Sequence, residues 1–242
     1  MTAHLVGVLG GVGPGATAYF LQRLVDRTQA TCDQEHIRSL AFNDTAIPDR
    51  TAFLLGETDQ SPIDIFVKDG QLLQTCGCDL LALPCNTAHC FFDEVQERLH
   101  TPIVHMVRET VGHVRDEGFR QAGVLATLGT VTSGVYAAEC ERAGVTCVYP
   151  DVSVQQMVNR TIFDDVKAGR VVEPALLAVF AQAMANQGCD CVVLGCTELS
   201  FAFGKTPVRT AIPVIDALDV LADCIIERTG HARKEAGLCA GL

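Results

Sequence analysis

The chain reads as an α/β protein built from two pseudo-symmetric α/β/α halves with parallel sheets, facing each other across an active-site cleft. Three observations predict this. Short apolar runs alternate with stretches of helical periodicity, the signature of strand-helix-strand units. A set of motifs occurs twice, in the same order. Two of the apolar runs end in a cysteine followed by small polar residues, which is how a buried parallel strand delivers a side chain into a cleft at its carboxyl end.

Leu5 to Leu9 is a continuous apolar run, and Gly10 to Gly15 turns it into an amphipathic stretch with Ala16, Phe20 and Leu24 on one face and Leu21 and Val25 one turn away. That is strand, tight loop and helix. The loop lacks the Lys-Ser/Thr of a phosphate-binding loop. Its glycines run G-x-G-x-G-A, with no well-placed acidic residue at a second strand end, which argues against a dinucleotide. A helix N-terminus with free N–H groups can equally hold a carboxylate. Ser39 to Ile63 reads as a strand followed by a long irregular connection marked by Pro48-Asp49-Arg50-Thr51 and Ser61-Pro62. A helix around Ile65 to Thr75 leads into the first cysteine strand, Cys78 to Thr87, then a helix over Thr87 to Leu99 and a short strand at Pro102-Ile103-Val104.

The pattern then restarts. Gly123-Val124-Leu125 stands 116 residues after Gly7-Val8-Leu9, Cys196 stands 111 after Cys85, and Pro213-Val214-Ile215 stands 111 after Pro102-Ile103-Val104. Three matches at nearly equal spacing argue for a duplication. Between them, helices are expected near Ser133 to Ala143, Val154 to Ala168 and Pro174 to Gln187, the last with Leu177, Phe180 and Met184 on one face. The second cysteine strand runs from Cys189 to Glu198.

A chain of 242 residues with 48% hydrophobic and 19% charged residues buries a sizeable core. No apolar run reaches the roughly 18 residues of a membrane span, and the first apolar run lacks the basic flank of a signal sequence. A cytoplasmic protein is expected. The net charge of −11 disfavours nucleic acid and anionic membranes. Twelve cysteines without a secretory signal read as reduced thiols rather than a disulfide framework. The C-terminal Cys239-Ala240-Gly241-Leu242 fits a prenylation box only formally, because Gly241 stands where an aliphatic residue is wanted.

Metal binding fits poorly. Cys78 and Cys85 lie about 23 Å apart along one strand, at roughly 3.3 Å per residue, and the chain has no Cys-x-x-Cys pair. Cys85 with His89 four residues on could form a thiolate-imidazole pair, but the second copy has Ser200 at the corresponding position. A third chemistry uses both halves. A thiolate at a helix N-terminus has its pKa drawn below about 8.5, so Cys85 and Cys196 on opposite sides of one carbon could remove a proton and return it to the other face. Two core cysteines that merely recur through duplication are the bland alternative, made less attractive by the polar Asn86-Thr87 and Thr197-Glu198 that follow them.

Gly10-Gly-Val-Gly-Pro14, Pro48-Asp-Arg-Thr51, Pro84-Cys-Asn-Thr-Ala-His89, Leu125-Ala-Thr-Leu-Gly-Thr130 and Leu194-Gly-Cys-Thr-Glu-Leu199 together resemble the aspartate/glutamate racemase family, in its aspartate-racemase branch. The resemblance covers nearly the whole chain. It implies a PLP-independent amino-acid racemase of two Rossmann-like halves, a homodimer with no cofactor and no metal, using Cys85 and Cys196 as the catalytic pair on a small dicarboxylic amino acid. It implies halves of residues 1–100 plus 208–242 and 101–207, with Pro213 to Ile226 returning to the first. Arg50 matches a substrate-carboxylate clamp and Lys167 a basic residue of similar role. Asn86, Thr87, Thr127, Thr130 and Thr197 match hydrogen-bond donors, and Glu198 a group near the substrate ammonium. Val12 and Gly13 belong to the loop at the pocket wall, where Val12 replaces the family's usual Met. Aspartate, with glutamate as a second substrate, is the expected ligand. Relatives on the same scaffold, such as hydantoin racemase, maleate isomerase or arylmalonate decarboxylase, and a non-catalytic amino-acid-binding protein, are the alternatives.

Overall fold

The structure is a computed structural model that describes residues 4–204 and 208–234. β1 (Leu5–Gly10) is apolar towards both sides, Val6 and Val8 entering one core and Leu9 another. Pro14 opens α1 (Pro14–Arg27), where its fixed φ and missing N–H suit a first turn. Ala16, Phe20 and Leu24 are buried as their spacing predicts, while Val25 is exposed. β2 (Arg38–Asn43) follows, and the irregular connection after it holds an unforeseen short helix, α2 (Arg50–Leu54), capped by Asp49, whose carboxylate accepts from the Ala52 N–H at 2.9 Å. Then come α3 (Ile63–Thr75), β3 (Leu80–Ala82), a 3₁₀ segment (Thr87–Phe91) running into α4 (Phe92–Gln96), and β4 (Ile103–Val104). These strands form a parallel sheet in the order β2-β1-β3-β4.

After α5 (Met106–Asp116) the second half repeats the plan, with β5 (Gln121–Leu125) followed by α6 (Leu128–Ser133) and α7 (Val135–Ala143). The helix expected over Ser133 to Ala143 is α7, and Gly134, at φ +70°, where only glycine sits comfortably, separates it from the unforeseen α6. β6 (Thr146–Val148) was not foreseen, since three residues carry no readable alternation. The helix expected over Val154 to Ala168 is α8 (Val152–Arg160) followed by a π-helical turn, Thr161–Val166. α9 (Leu176–Asn186), β7 (Cys191–Leu194), α10 (Thr197–Phe203), β8 (Val214–Asp216) and α11 (Ala217–Arg228) complete the described chain. The second sheet is also parallel, in the order β6-β5-β7-β8, which repeats the first position by position.

The sheets divide elsewhere than the expected bounds at residues 100 and 208. β4 still belongs to the first sheet and β8 to the second, so Pro213 to Asp216 do not return to the first half. What crosses over is the helix after each last strand. Val107, Val111 and Val114 of α5 pack with Val124, Cys191 and Val193 of the second half. Leu218, Leu221, Ile225 and Ile226 of α11 pack with Val6, Val8 and Phe20 of the first. The physical cause is the apolar face that each helix presents to the opposite sheet. The prenylation-like Cys239 lies outside the described residues, and no helix among the described residues is long and apolar enough to cross a membrane.

Candidate active site

One central strand of each sheet leads to a cysteine. β3 runs through Leu83-Pro84 to Cys85, and β7 through Gly195 to Cys196. Both thiols are buried, and both wall one cavity of about 20 Å³ between the halves, shared with Val12, Asp49, Arg50, Thr51, Asn86, Thr87, Thr127, Lys167, Thr197 and Glu198. That volume holds about one water. Beside it opens a second cavity of about 540 Å³ at the N-terminus of α1, lined by Gly13, Ile47, Val166 and Phe201 among others; Asp49, Arg50, Lys167 and Glu198 border both.

Of the residues singled out from the sequence, Gly13 lies in the outer cavity, and Thr130 lines neither but supports the inner wall. Its hydroxyl is 2.8 Å from that of Thr87 and 3.0 Å from that of Thr127, and Thr87 and Thr127 are 3.2 Å apart. Thr51 donates to Thr127 at 3.3 Å. Four hydroxyls from two halves thus meet beneath the site. Thr127 also caps α6, accepting from the Thr130 N–H. Gly129 allows the close approach: a Cβ there would stand 2.8 Å from the Thr51 Cα.

Glu198 is the electrostatic centre of the second motif. The Cys196 thiol donates to its Oε2 at 3.0 Å and the Thr197 hydroxyl at 3.3 Å. Gly13, at φ +57°, makes room for it, because a Cβ would meet Glu198 Oε1 at 2.5 Å. Burial, and then the Glu198 charge, push the Cys196 thiol well above its ordinary pKa. Of the two cysteines, Cys196 is thus held as the thiol, because its sulfur at the start of α10 faces a carboxylate.

On the opposite wall, Arg50 is buried and its Nη1 donates to the Ile47 and Pro48 carbonyls, while its Nε has no hydrogen-bond partner among the described residues. Asn86 Nδ2 is in the same condition, its Oδ1 being taken by the Tyr136 hydroxyl at 2.6 Å. Lys167 reaches from the second half to within 3.6 Å of Asp49 Oδ2 and lies over the Phe163 ring. Burial works against the Asp49 charge, but the Ala52 N–H and Lys167 outweigh it and hold the carboxyl below its usual range.

His89 is not a base for Cys85. The Met106 N–H donates to its Nε2 at 3.0 Å, so the proton sits on Nδ1, which points to the Cys85 carbonyl at 2.9 Å rather than to the sulfur. Burial keeps the ring neutral. Asp49 and Thr51 were named in a motif but not as site residues, and Tyr136 was not singled out at all. A register of the two halves would have flagged it, because Tyr136 falls 116 residues after the buried Phe20.

The broad-specificity amino-acid racemase RacX of Bacillus subtilis is 27% identical over 225 residues, covering 90% of this chain and 95% of that protein. The glutamate racemase of Pseudomonas aeruginosa is 32% identical over 140 residues, about half of each chain. The solved structure of Picrophilus torridus aspartate racemase superposes with a TM-score of 0.80 at 29% identity, covering 96% of both chains. Duplicated halves of this topology around one shared cavity, with these likenesses, define an amino-acid racemase, an isomerase. The family model described as Asp/Glu/Hydantoin racemase matches residues 9–225, and the chain belongs to that family.

Proposed function

We propose that the protein interconverts L- and D-aspartate, with glutamate as a second substrate, by passing the α-proton between Cys85 and Cys196 without a cofactor. The observation that carries the reading is a single cavity walled by one cysteine from each half. One sulfur takes the α-proton as a thiolate, the C–H pair moves onto the carboxylate, and the other thiol returns a proton to the opposite face of the carbon. In the state described, Cys196 is the thiol, held by Glu198. A substrate ammonium at Glu198 offsets the charge that Cys196 faces and eases its ionisation for the return direction.

The intermediate carries its charge on the carboxylate oxygens, so the site needs donors aimed at them. Arg50 and Asn86 line the cavity, and their buried Nε and Nδ2 have no hydrogen-bond partner among the described residues, a condition that costs about 1–3 kcal/mol each. An oxyanion satisfies both. Lys167, released from Asp49, serves the second carboxylate of a dicarboxylic substrate. Because the inner cavity now holds only about one water, admission of an amino acid breaks this ion pair.

A broader substrate range is a second reading. It is favoured by the outer cavity, where Ile47, Val166 and Phe201 could receive larger side chains, and by the likeness to RacX.

Incubation in D2O with L-aspartate, L-glutamate and a panel of larger amino acids, without PLP, tests both readings through α-deuterium and optical rotation. Cys85→Ser and Cys196→Ser each abolish racemisation, and one-sided exchange persists in at most one enantiomer. Exchange that survives both changes together removes the cysteines from the mechanism, and turnover only with added PLP removes the cofactor-free reading.

A further inference from the structure

Tyr136 touches both cysteine motifs. It is fully buried in the second half. Its ring packs behind the turn that presents Cys196, where a Cβ on Gly195 would stand 3.2 Å from Tyr136 Cε2. Its hydroxyl crosses to the first half and donates to Asn86 Oδ1, the residue after Cys85, at 2.6 Å. Thr110, whose own hydroxyl donates to the Met106 carbonyl, is another polar neighbour of the phenol.

We infer that Tyr136 is a positioning residue for the two-cysteine site, fixing the Asn86 amide so that Nδ2 is the end offered to the substrate carboxylate, while its ring sets the Cys196 turn against the Cys85 turn. The inference rests on the racemase reading above. Asn86 presents two unlike ends, and only one suits an anion. With Oδ1 engaged by a phenol proton, the amide of this cavity-lining residue is held with its buried Nδ2 unpartnered among the described residues. Burial raises the phenol pKa well above its ordinary value, so the hydroxyl stays a donor.

The duplication supplies an internal comparison. At the offset of 116, Tyr136 corresponds to Phe20, which has no hydroxyl; at the offset of 111, Asn86 corresponds to Thr197, which has no amide. The hydroxyl and the amide it orients occur together at one junction and are both missing from the other. Tyr136 thus acts on one side of a pseudo-twofold site.

Tyr136→Phe keeps the ring and removes the contact, so packing survives. Kinetics of α-deuterium exchange and thermal stability are measured for wild type, Tyr136→Phe, Asn86→Ala and the double variant. The expected result is a loss of about 10- to 100-fold in kcat/KM for Tyr136→Phe, mostly in kcat, with a small change in Tm. Asn86→Ala loses at least as much, and adding Tyr136→Phe to it costs less than about twofold. Full activity in Tyr136→Phe, or the same loss with and without Asn86, overturns the proposal. If wild type exchanges no amino acid, the racemase reading fails at that point. The Tyr136 assignment is then decided by the iodoacetamide rate at Cys85. A several-fold change in Tyr136→Phe that disappears in the Asn86→Ala background supports it, and an unchanged rate overturns it.

Discussion

Gly129→Ala perturbs the site from behind, through Thr51 of the cavity wall. Gly129 lies in α6 where that helix crosses α2, and a Cβ there would stand 2.8 Å from the Thr51 Cα, a backbone atom that cannot rotate away. The contact has to relax to about 3.4 Å or more, which moves the halves apart by about half an ångström at the level of the threonine cluster. Overpacking of this kind costs about 1–3 kcal/mol, and alanine returns about 1 kcal/mol of helix propensity. The net loss is about 0–2 kcal/mol, at most roughly 8 °C in Tm for a chain of this size. Activity suffers more, because Thr51 and Thr127 share a wall with both cysteines, and a displacement of this order costs about 10-fold or more in kcat/KM. Gly112→Ala is the matched control: it lies within α5, where a Cβ meets nothing within 4 Å. It gains about 0.5–1 kcal/mol and leaves turnover unchanged. Thermal melts and α-deuterium exchange on the two variants decide the matter. If Gly129→Ala is as active and as stable as Gly112→Ala, the crossing does not set the site.

Two further expectations concern charge. Glu198→Gln removes the carboxylate that raises the Cys196 pKa, so the pH curve for alkylation of Cys196 by iodoacetamide moves to lower pH while racemisation falls; a curve that stays in place contradicts the Cys196–Glu198 contact. Asp69 of α3 is buried, and its pKa is raised to about 6 by burial and then by Asp44. A carboxyl whose folded pKa lies above its ordinary 3.8 contributes stability at low pH that is lost as pH rises from about 4 to about 6. Asp69→Asn therefore flattens this part of the stability curve and gains on the order of 2 kcal/mol at pH 7 to 8. Denaturant melts showing the same slope in both proteins rule that out.

The central strands were legible because they are buried on both faces, so β1, β3, β5 and β7 read as apolar runs whatever surrounds them. Cys85 and Cys196 were legible for the same reason, each closing such a run. Edge elements were harder. β6 has three residues and one long neighbour, and α2 owes its cap to Asp49 inside a Pro-rich connection. The side on which a helix packs is a tertiary fact. Nothing in Met106 to Asp116 says that its apolar face meets the sheet that follows rather than the one it has just left. Chemistry set by distant neighbours was likewise hidden. A place at a helix N-terminus suggested a stabilised thiolate at one of the two cysteines, but burial of Cys196, and then the Glu198 carboxylate, raise its pKa instead. Tyr136 matters through Asn86, fifty residues away along the chain.

The exchanged helices α5 and α11 limit how this molecule can breathe. Each sheet is backed by a helix encoded next to the other sheet, and the two helices also lie against each other. Wide clamshell opening would strip both lobes of their backing, so admitting a ligand is confined to a shallow twist about this clasp. Neither lobe expressed by itself would carry a complete interior.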